Sequence, residues 1–328
     1  MDAESLVYAA NLKDGQLEFV ERYTAKEGTE TAKSIAAVKT SRANLLGYVD
    51  SADFLALEMR GGGEEIWESF GKIYEGMMKD AGPEALQMLK DSVMLLDGMA
   101  VGIGFDGGLT ETFVMGVKDE AKYAKILDEM PQFFDAMMKG MSGMMPEGAE
   151  FPMDMSFTAG ESWEHAGVKV WNFNFKVAIK DSEQMPPDAA ETMKKMMDKM
   201  LGGESFEYHV AIVGGKTVGA VGMKARERTA ALIENVKSGK MDQLPAPVAS
   251  ALAGFPVDSH TRFHLDVGSL LKMISDMPEI PEEARAKLAN PPAGLGFSGW
   301  MSYSGRSLKY GMKMNLKTVM SYVADWMR

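Results

Sequence analysis

Trp171-Asn172-Phe173-Asn174-Phe175-Lys176-Val177-Ala178-Ile179-Lys180 alternates apolar and polar side chains almost without a break. A strand points successive side chains to opposite faces, so Trp171, Phe173, Phe175, Val177 and Ile179 share one face while Asn172, Asn174, Lys176 and Lys180 share the other. Near the end of the chain Tyr310, Met312, Met314 and Leu316 alternate with Lys309, Lys313, Asn315 and Lys317 in the same way. A sheet with one apolar and one polar face is antiparallel, covered by helices on one side and wet on the other. The predicted fold class is therefore α+β: an antiparallel sheet of repeated β-hairpin-helix modules with helices packed on one face.

Working outward, two strand-like runs joined by a glycine-bearing turn and followed by an amphipathic helix occur five times. The turns are Lys13-Asp14-Gly15, Asp106-Gly107-Gly108, Ala166-Gly167, Gly214-Gly215 and Ser304-Gly305. The helices are predicted over about 29–38, 120–138, 188–201, after the fourth turn, and over 318–327. Tight hairpin turns call for positive φ, which glycine adopts without steric cost. Gly47-Tyr48-Val49-Asp50 before Phe54-Leu55, and Phe263-His264-Leu265-Asp266 before Leu270-Leu271, each read as a strand ending in a helix-capping aspartate. This predicts a duplication of roughly 45–138 in 260–328. Two domains are predicted, 1–150 (modules one and two) and 151–328 (modules three to five), with joints at Gly140–Pro152, Gly239–Pro247 and Asn290–Gly296 where Gly and Pro concentrate.

Composition narrows the function classes. With 35 basic against 47 acidic residues, a net charge of −12, there is no basic face for a phosphate backbone, and nucleic acid is excluded as a partner. No run approaches the roughly 20 apolar residues of a membrane-spanning helix. Cysteine is absent, which removes disulfides, thiolate metal sites and a Cys nucleophile and fits an exported protein whose leader has been removed; a cytoplasmic location is the alternative.

Motifs that imitate known chemistry have simpler readings. Gly102-Ile103-Gly104-Phe105-Asp106-Gly107 matches the dinucleotide pattern G-x-G-x-x-G, yet Leu109–Val117 reads as a strand where a helix is required, so a hairpin is predicted. Gly215-Lys216-Thr217 resembles the end of a phosphate loop, but Val210 stands where the earlier glycine belongs. His260 and His264 could share a face toward a metal, although no third ligand completes the set. No nucleophile elbow G-x-S-x-G occurs. No catalytic residue, cofactor or metal site is assigned.

Methionine is the unusual component. The chain has 30 Met, more than its Leu, and between Thr110 and Met200 Leu127 is the sole leucine. Met130, Phe133, Phe134, Met137, Met138 and Met141 stand at i, i+3, i+4, i+7, i+8 and i+11, and Met193, Met196, Met197 and Met200 repeat the first steps. The simplest reading is a helix face packed on the sheet. A second is an adaptable apolar groove, since thioether side chains re-pack around irregular partners. A third is copper(I), which selects soft sulfur ligands. The loop beyond the first stripe suggests an apolar binding surface of Met141, Met144, Met145, Met153 and Met155.

The strand-Asp-helix segments Tyr48-Val49-Asp50 and His264-Leu265-Asp266, with their glycine-turn hairpins, resemble uncharacterised bacterial exported or lipoprotein-like repeat proteins. The resemblance implies a periplasmic or extracellular, non-enzymatic role. The function expected is that of a binding or interaction protein with a Met-rich apolar surface, its partner an apolar ligand or a protein, with oligomerisation open. The alternatives are a soft-metal (copper) binding protein and a structural subunit of a larger assembly.

Overall fold

A computed structural model of the chain describes residues 2–326 apart from 41–43, 51–53, 79–80, 144–152, 180–190, 193, 196, 199–202, 204, 242–243, 257 and 278–279; at 69, 70, 73, 77 and 140–143 it describes the backbone alone. In chain order the elements are β1 (Ala3–Lys13), β2 (Gln16–Ala25), α1 (Glu30–Ala37), β3 (Leu55–Gly62), α2 (Gly63–Met77), α3 (Pro83–Met94), β4 (Leu96–Phe105), β5 (Leu109–Val117), α4 (Glu120–Gly143), β6 (Met153–Ala159), β7 (Trp163–His165), β8 (Val168–Ile179), β9 (Ser205–Val213) and β10 (Lys216–Gly222). Then follow α5 (Ala225–Ser238), α6 (Ala246–Leu252), β11 (Thr261–Asp266), α7 (Val267–Ser275), α8 (Glu282–Leu288), β12 (Gly296–Ser304), β13 (Ser307–Asn315) and α9 (Leu316–Trp326). The thirteen described strands belong to a large, open antiparallel sheet. By density of contacts the chain divides into two compact units, one of residues 1–61, 99–105 and 242–328, the other of 62–98 and 106–241.

In the first unit the strand order is β1-β2-β13-β12-β11-β3. Tyr23, opposite Leu308, packs with Tyr303 under Ala32 and Ile35 of α1, so α1 covers that face. Thr29 caps α1, its hydroxyl accepting from the Ala32 amide at 3.2 Å. On the other face Glu58 of β3 is fully buried. It accepts from Arg60 Nε at 2.8 Å and Arg262 Nε at 2.9 Å, and from the Leu45 and Leu46 amides at 2.8 and 3.2 Å. Asp266 ends β11 and caps α7, accepting from the Ser269 amide at 3.0 Å. Asp50 has no such part: Leu46–Tyr48 form a 3-10 turn, and Phe54-Leu55 leads into β3, where Leu55 pairs with Leu265.

In the second unit the order is β5-β10-β9-β8-β6, with β7 also on β8. The faces follow from register. Phe173 opposes Tyr208 and Phe175 opposes Phe206, while Asn172 opposes His209 and Val170 opposes both Ala211 and Trp163. Helix α4 lies on the Phe173 face: Phe134 meets Phe175 edge-on at 5.4 Å between ring centroids, and Asp128 accepts from Trp171 Nε1 at 2.7 Å. Helix α5 lies on the opposite face, with Arg226 4.4 Å over the Trp163 ring and Glu234 3.1 Å from His165. Gly219 sits mid-strand in β10 because a Cβ there would stand 2.3 Å from the Phe113 ring.

These facts correct the predicted fold class. The sheet is not a set of repeated hairpin-helix modules with one wet face. Helices cover both faces in each unit, since α6 packs on the His264 face of β11 and β12, away from α1. The hairpins do not follow one another across the sheet in chain order either, because β2 pairs with β13 from the far end of the chain. The physical reason lies in the face assigned to solvent: Val170, Ala211 and Val218 on it are wholly buried, as is His209, while Asn172 and Asn174 are half-buried and Lys176 is exposed. The stretches β3-α2-α3-β4-β5-α4 and β11-α7-α8-β12-β13-α9 do share their element order.

Candidate binding cleft

The aromatic strand residues and the α4 stripe meet over a cavity of about 330 Å³ in the second unit. Met130, Phe133 and Phe134 of α4 form one wall, and Phe157, Phe175, Phe206, Tyr208 and Val221, from four strands, form the other. Three of these lie in register across the sheet: Phe157 opposes Phe175, and Phe175 opposes Phe206. The rings interlock, with Phe134 5.3 Å from Phe157, Phe175 4.9 Å from Phe206, and Phe157 stacked on Phe173 at 4.9 Å. The size falls within the range of small-molecule sites, which are largely apolar with a few placed polar groups.

The helix stripe is not closed core. Met130, Phe133, Phe134, Met137 and Met138 are all half-buried, whereas Leu127, one turn earlier, is fully buried. Pro131 lies inside α4 and has no N–H to offer the Leu127 carbonyl, so the helix lacks a hydrogen bond beside the cleft wall.

The surface this wall presents to the cavity is wholly apolar, so Tyr208 contributes its ring and not its hydroxyl. Burial raises its pKa, reinforced by Tyr123 and Glu111 nearby. Burial also pushes Tyr123 up to about 12 and raises Glu111. Glu111 and Tyr208 flank Val221 on neighbouring strands and share its face. Both phenols are protonated donors at neutral pH.

The residues proposed from sequence for a Met surface are placed as follows. Met153 and Met155 lie on β6, half-buried, with Met155 opposite Val177. Met141 belongs to the last turn of α4, where only the backbone is described, and Met144 and Met145 lie outside the described residues. Of the two whose side chains are described, neither Met153 nor Met155 lines the cavity. Of the second stripe, Met193, Met196 and Met200 lie outside the described residues and Met197 is helical and half-buried. Sequence reasoning missed Phe206, Tyr208 and Val221. The alternation Phe206-Glu207-Tyr208-His209-Val210 carries the signal for the first two, and only the register of β9 on β8 shows that they face Phe175.

A second recess, of about 320 Å³, lies in the first unit between α6 and the β11–β12–β13 surface. There His264 Nδ1 is 2.8 Å from Ser298 Oγ, on the neighbouring strand. Burial lowers the His264 pKa against the opposing pull of Asp266, which leaves the ring neutral at pH 7. Asp266 is engaged as the α7 cap, and Lys313 lies over Phe255 at 5.1 Å. His260 packs instead on Tyr303, at 5.2 Å, and is not joined with His264 in a ligand set. Among the described residues no group of three or more His, Asp or Glu is placed to hold a metal ion. The G-x-G-x-x-G stretch runs along β4 into a turn closed by the Asp106 amide on the Gly108 carbonyl, with Gly107 at φ +74°, and β5 follows it. Gly214-Gly215 turns β9 into β10, which places Lys216 and Thr217 in a strand.

Among the described residues no helix is long and apolar enough to cross a membrane. No protein-family model matches the chain, and no curated protein is similar to it.

Proposed function

We propose that the chain is a non-enzymatic binding protein, acting outside the cytoplasm, that takes a small hydrocarbon-like molecule into the cleft under α4. The observation that carries this reading is the cavity itself: its lining is aromatic and aliphatic and presents no polar surface. Burying apolar ligand surface supplies the driving force. An anionic head group is disfavoured, because Glu111 lies on the same face two strands away and the chain carries net charge −12. Copper(I) fits less well, since Met130 is the one thioether among six aromatic rings.

The test is titration with a neutral, environment-sensitive apolar fluorophore such as N-phenyl-1-naphthylamine. Saturable one-to-one binding is expected, abolished by Val221→Trp, which fills the cavity from the half-exposed strand side, and weakened by Phe134→Ala. Tyr208→Phe should leave this probe's affinity unchanged, since the hydroxyl does not face the cavity. Equal fluorescence with wild type and Val221→Trp would defeat the proposal.

A further inference from the structure

Strand β1 is an outer strand of the sheet, and ten of its eleven residues are exposed. Leu6, Val7, Tyr8 and Leu12 are 46, 55, 58 and 61% exposed, and they lie on both faces of the strand. Natural outer strands are usually protected by being short, or by prolines, inward charges or bulges, because their free N–H and C=O groups template pairing with another chain. β1 has none of these over Ser5–Lys13: no proline, no register break, and a single charge at its end, Lys13. Glu4, at the other end, is already paired with Arg306.

We infer that this edge is the pairing surface for a second copy of the chain, joined antiparallel about a two-fold axis through Tyr8. The register follows from backbone chemistry. In an antiparallel pair, opposite residues both direct their N–H and C=O toward each other or both away, and these directions alternate along the strand. A strand paired with its own copy must therefore match even with even and odd with odd numbers. The register centred on Tyr8 lies within the regular stretch and puts Tyr8 opposite Tyr8, Val7 opposite Ala9, Leu6 opposite Ala10 and Ser5 opposite Asn11, with the irregularity between Ala3 and Ser5 at its margin. No like charges oppose each other within it. The tyrosine rings extend an aromatic ladder already begun by Tyr8 on Phe19, 6.0 Å apart. Eleven residues present about 36 Å of edge, and an isologous contact of this kind closes as a dimer without leaving an edge on β1. This inference is independent of the cleft and stands or falls without it.

The absence of cysteine makes the register directly testable. Tyr8→Cys should form an interchain disulfide on mild oxidation, because two-fold-related residues opposite each other in a sheet lie within disulfide reach. Leu12→Cys, four residues from the axis and so far from its own copy across it, should not. Sedimentation equilibrium of the wild-type chain should show a monomer–dimer equilibrium that strengthens with added salt, since two copies of net charge −12 repel. Tyr8→Lys and, on the other face, Val7→Lys should each shift it to monomer with unchanged circular dichroism and melting temperature. A wild-type chain that stays monomeric at every concentration, a dimer that survives both lysine variants, or equal crosslinking by Leu12→Cys would overturn the inference. A dimer weakened by salt would overturn it as well, by pointing to a contact built on opposite charges.

Discussion

Single residues decide how the polar groups inside the first unit are tolerated. Glu58 is fully buried and accepts from two guanidinium groups and two backbone amides, so each of its oxygens is occupied. Glu58→Gln removes the charge that compensates Arg60 and Arg262, and breaking one side of a buried ion network costs on the order of 3–5 kcal/mol. Urea unfolding of the variant should show that loss; a change under about 1 kcal/mol would mean that the arginines find other partners. In the second unit His209 is fixed in one tautomer: Trp163 Nε1–H donates to Nδ1 at 3.1 Å, which leaves Nε2–H to donate to Glu207 at 2.9 Å. Nitrogen NMR should find the Nε2-protonated ring in the wild type, and Trp163→Phe should destabilise by about 1–3 kcal/mol by leaving the buried Nδ1 without a donor. Glu111 acts in the opposite sense to a paired carboxylate. Its pKa is raised by burial, so the folded chain keeps that proton to higher pH than the unfolded chain does. Stability is then lost as pH climbs through the window between the ordinary glutamate range and the raised value, and nothing is lost below that window. Glu111→Gln should therefore raise the melting temperature at pH 7, with a gain that vanishes in acid; a gain that persists in acid would assign the effect to packing.

At the scale of elements, α4 separates two uses of an apolar face. Leu127 is fully buried, and Leu127→Ala should cost about 2–5 kcal/mol through lost transfer energy and the cavity left behind. Met137 is half-buried, so Met137→Ala should cost about 1 kcal/mol. Parallel denaturation curves would distinguish them, and equal losses would make the whole stripe core. What could be read in advance follows the same division. The period of alternation in β8, the caps at Thr29 and Asp266 and the glycine turns are local signals, set by backbone geometry within a few residues, and sequence alone carries them. The second helical layer is not local. Asn172 and His209 suggest a wet face, but Trp163 and Glu207 satisfy His209 under α5, and the residues beside them, Val170, Ala211 and Val218, are too small to stand out as a core. Asp50 failed as a cap for a related reason: an aspartate before an apolar run favours a helix start, and pairing of Leu55 with Leu265 overrides it. For the cleft, the Phe and Met stripe of α4 was legible as a periodicity. Tyr208 was not, because its part depends on the register between β8 and β9.

For the whole molecule, the division of the chain matters more than its length. Residues 62–98 and 106–241 make one unit, so the methionine-rich stretch and the cleft belong to a body whose chain is complete well before the last strands are made. The other unit opens and closes the sequence, and its sheet joins β2 to β13 through contacts such as Arg22 with Ser307, 285 residues apart. Such non-local pairing is slow, since the loop must close before the contact rewards it. On the ribosome the consequence is a waiting period. At about 5–20 residues per second, the β1–β2 hairpin spends many seconds after its own synthesis without the strand that will pair with β2. During that interval Phe19, Val20 and Tyr23 have no β13 beside them, and the hairpin's apolar surface is open to chaperones or to misassociation. A chain arrested near residue 290 should accordingly resist limited proteolysis within β8 to β10 at 168–179 and 205–222 and be cut within 3–25, with protection of the hairpin returning once β13 has emerged. Early protection of the hairpin in that arrested chain would mean that it finds another partner before its own last strand exists.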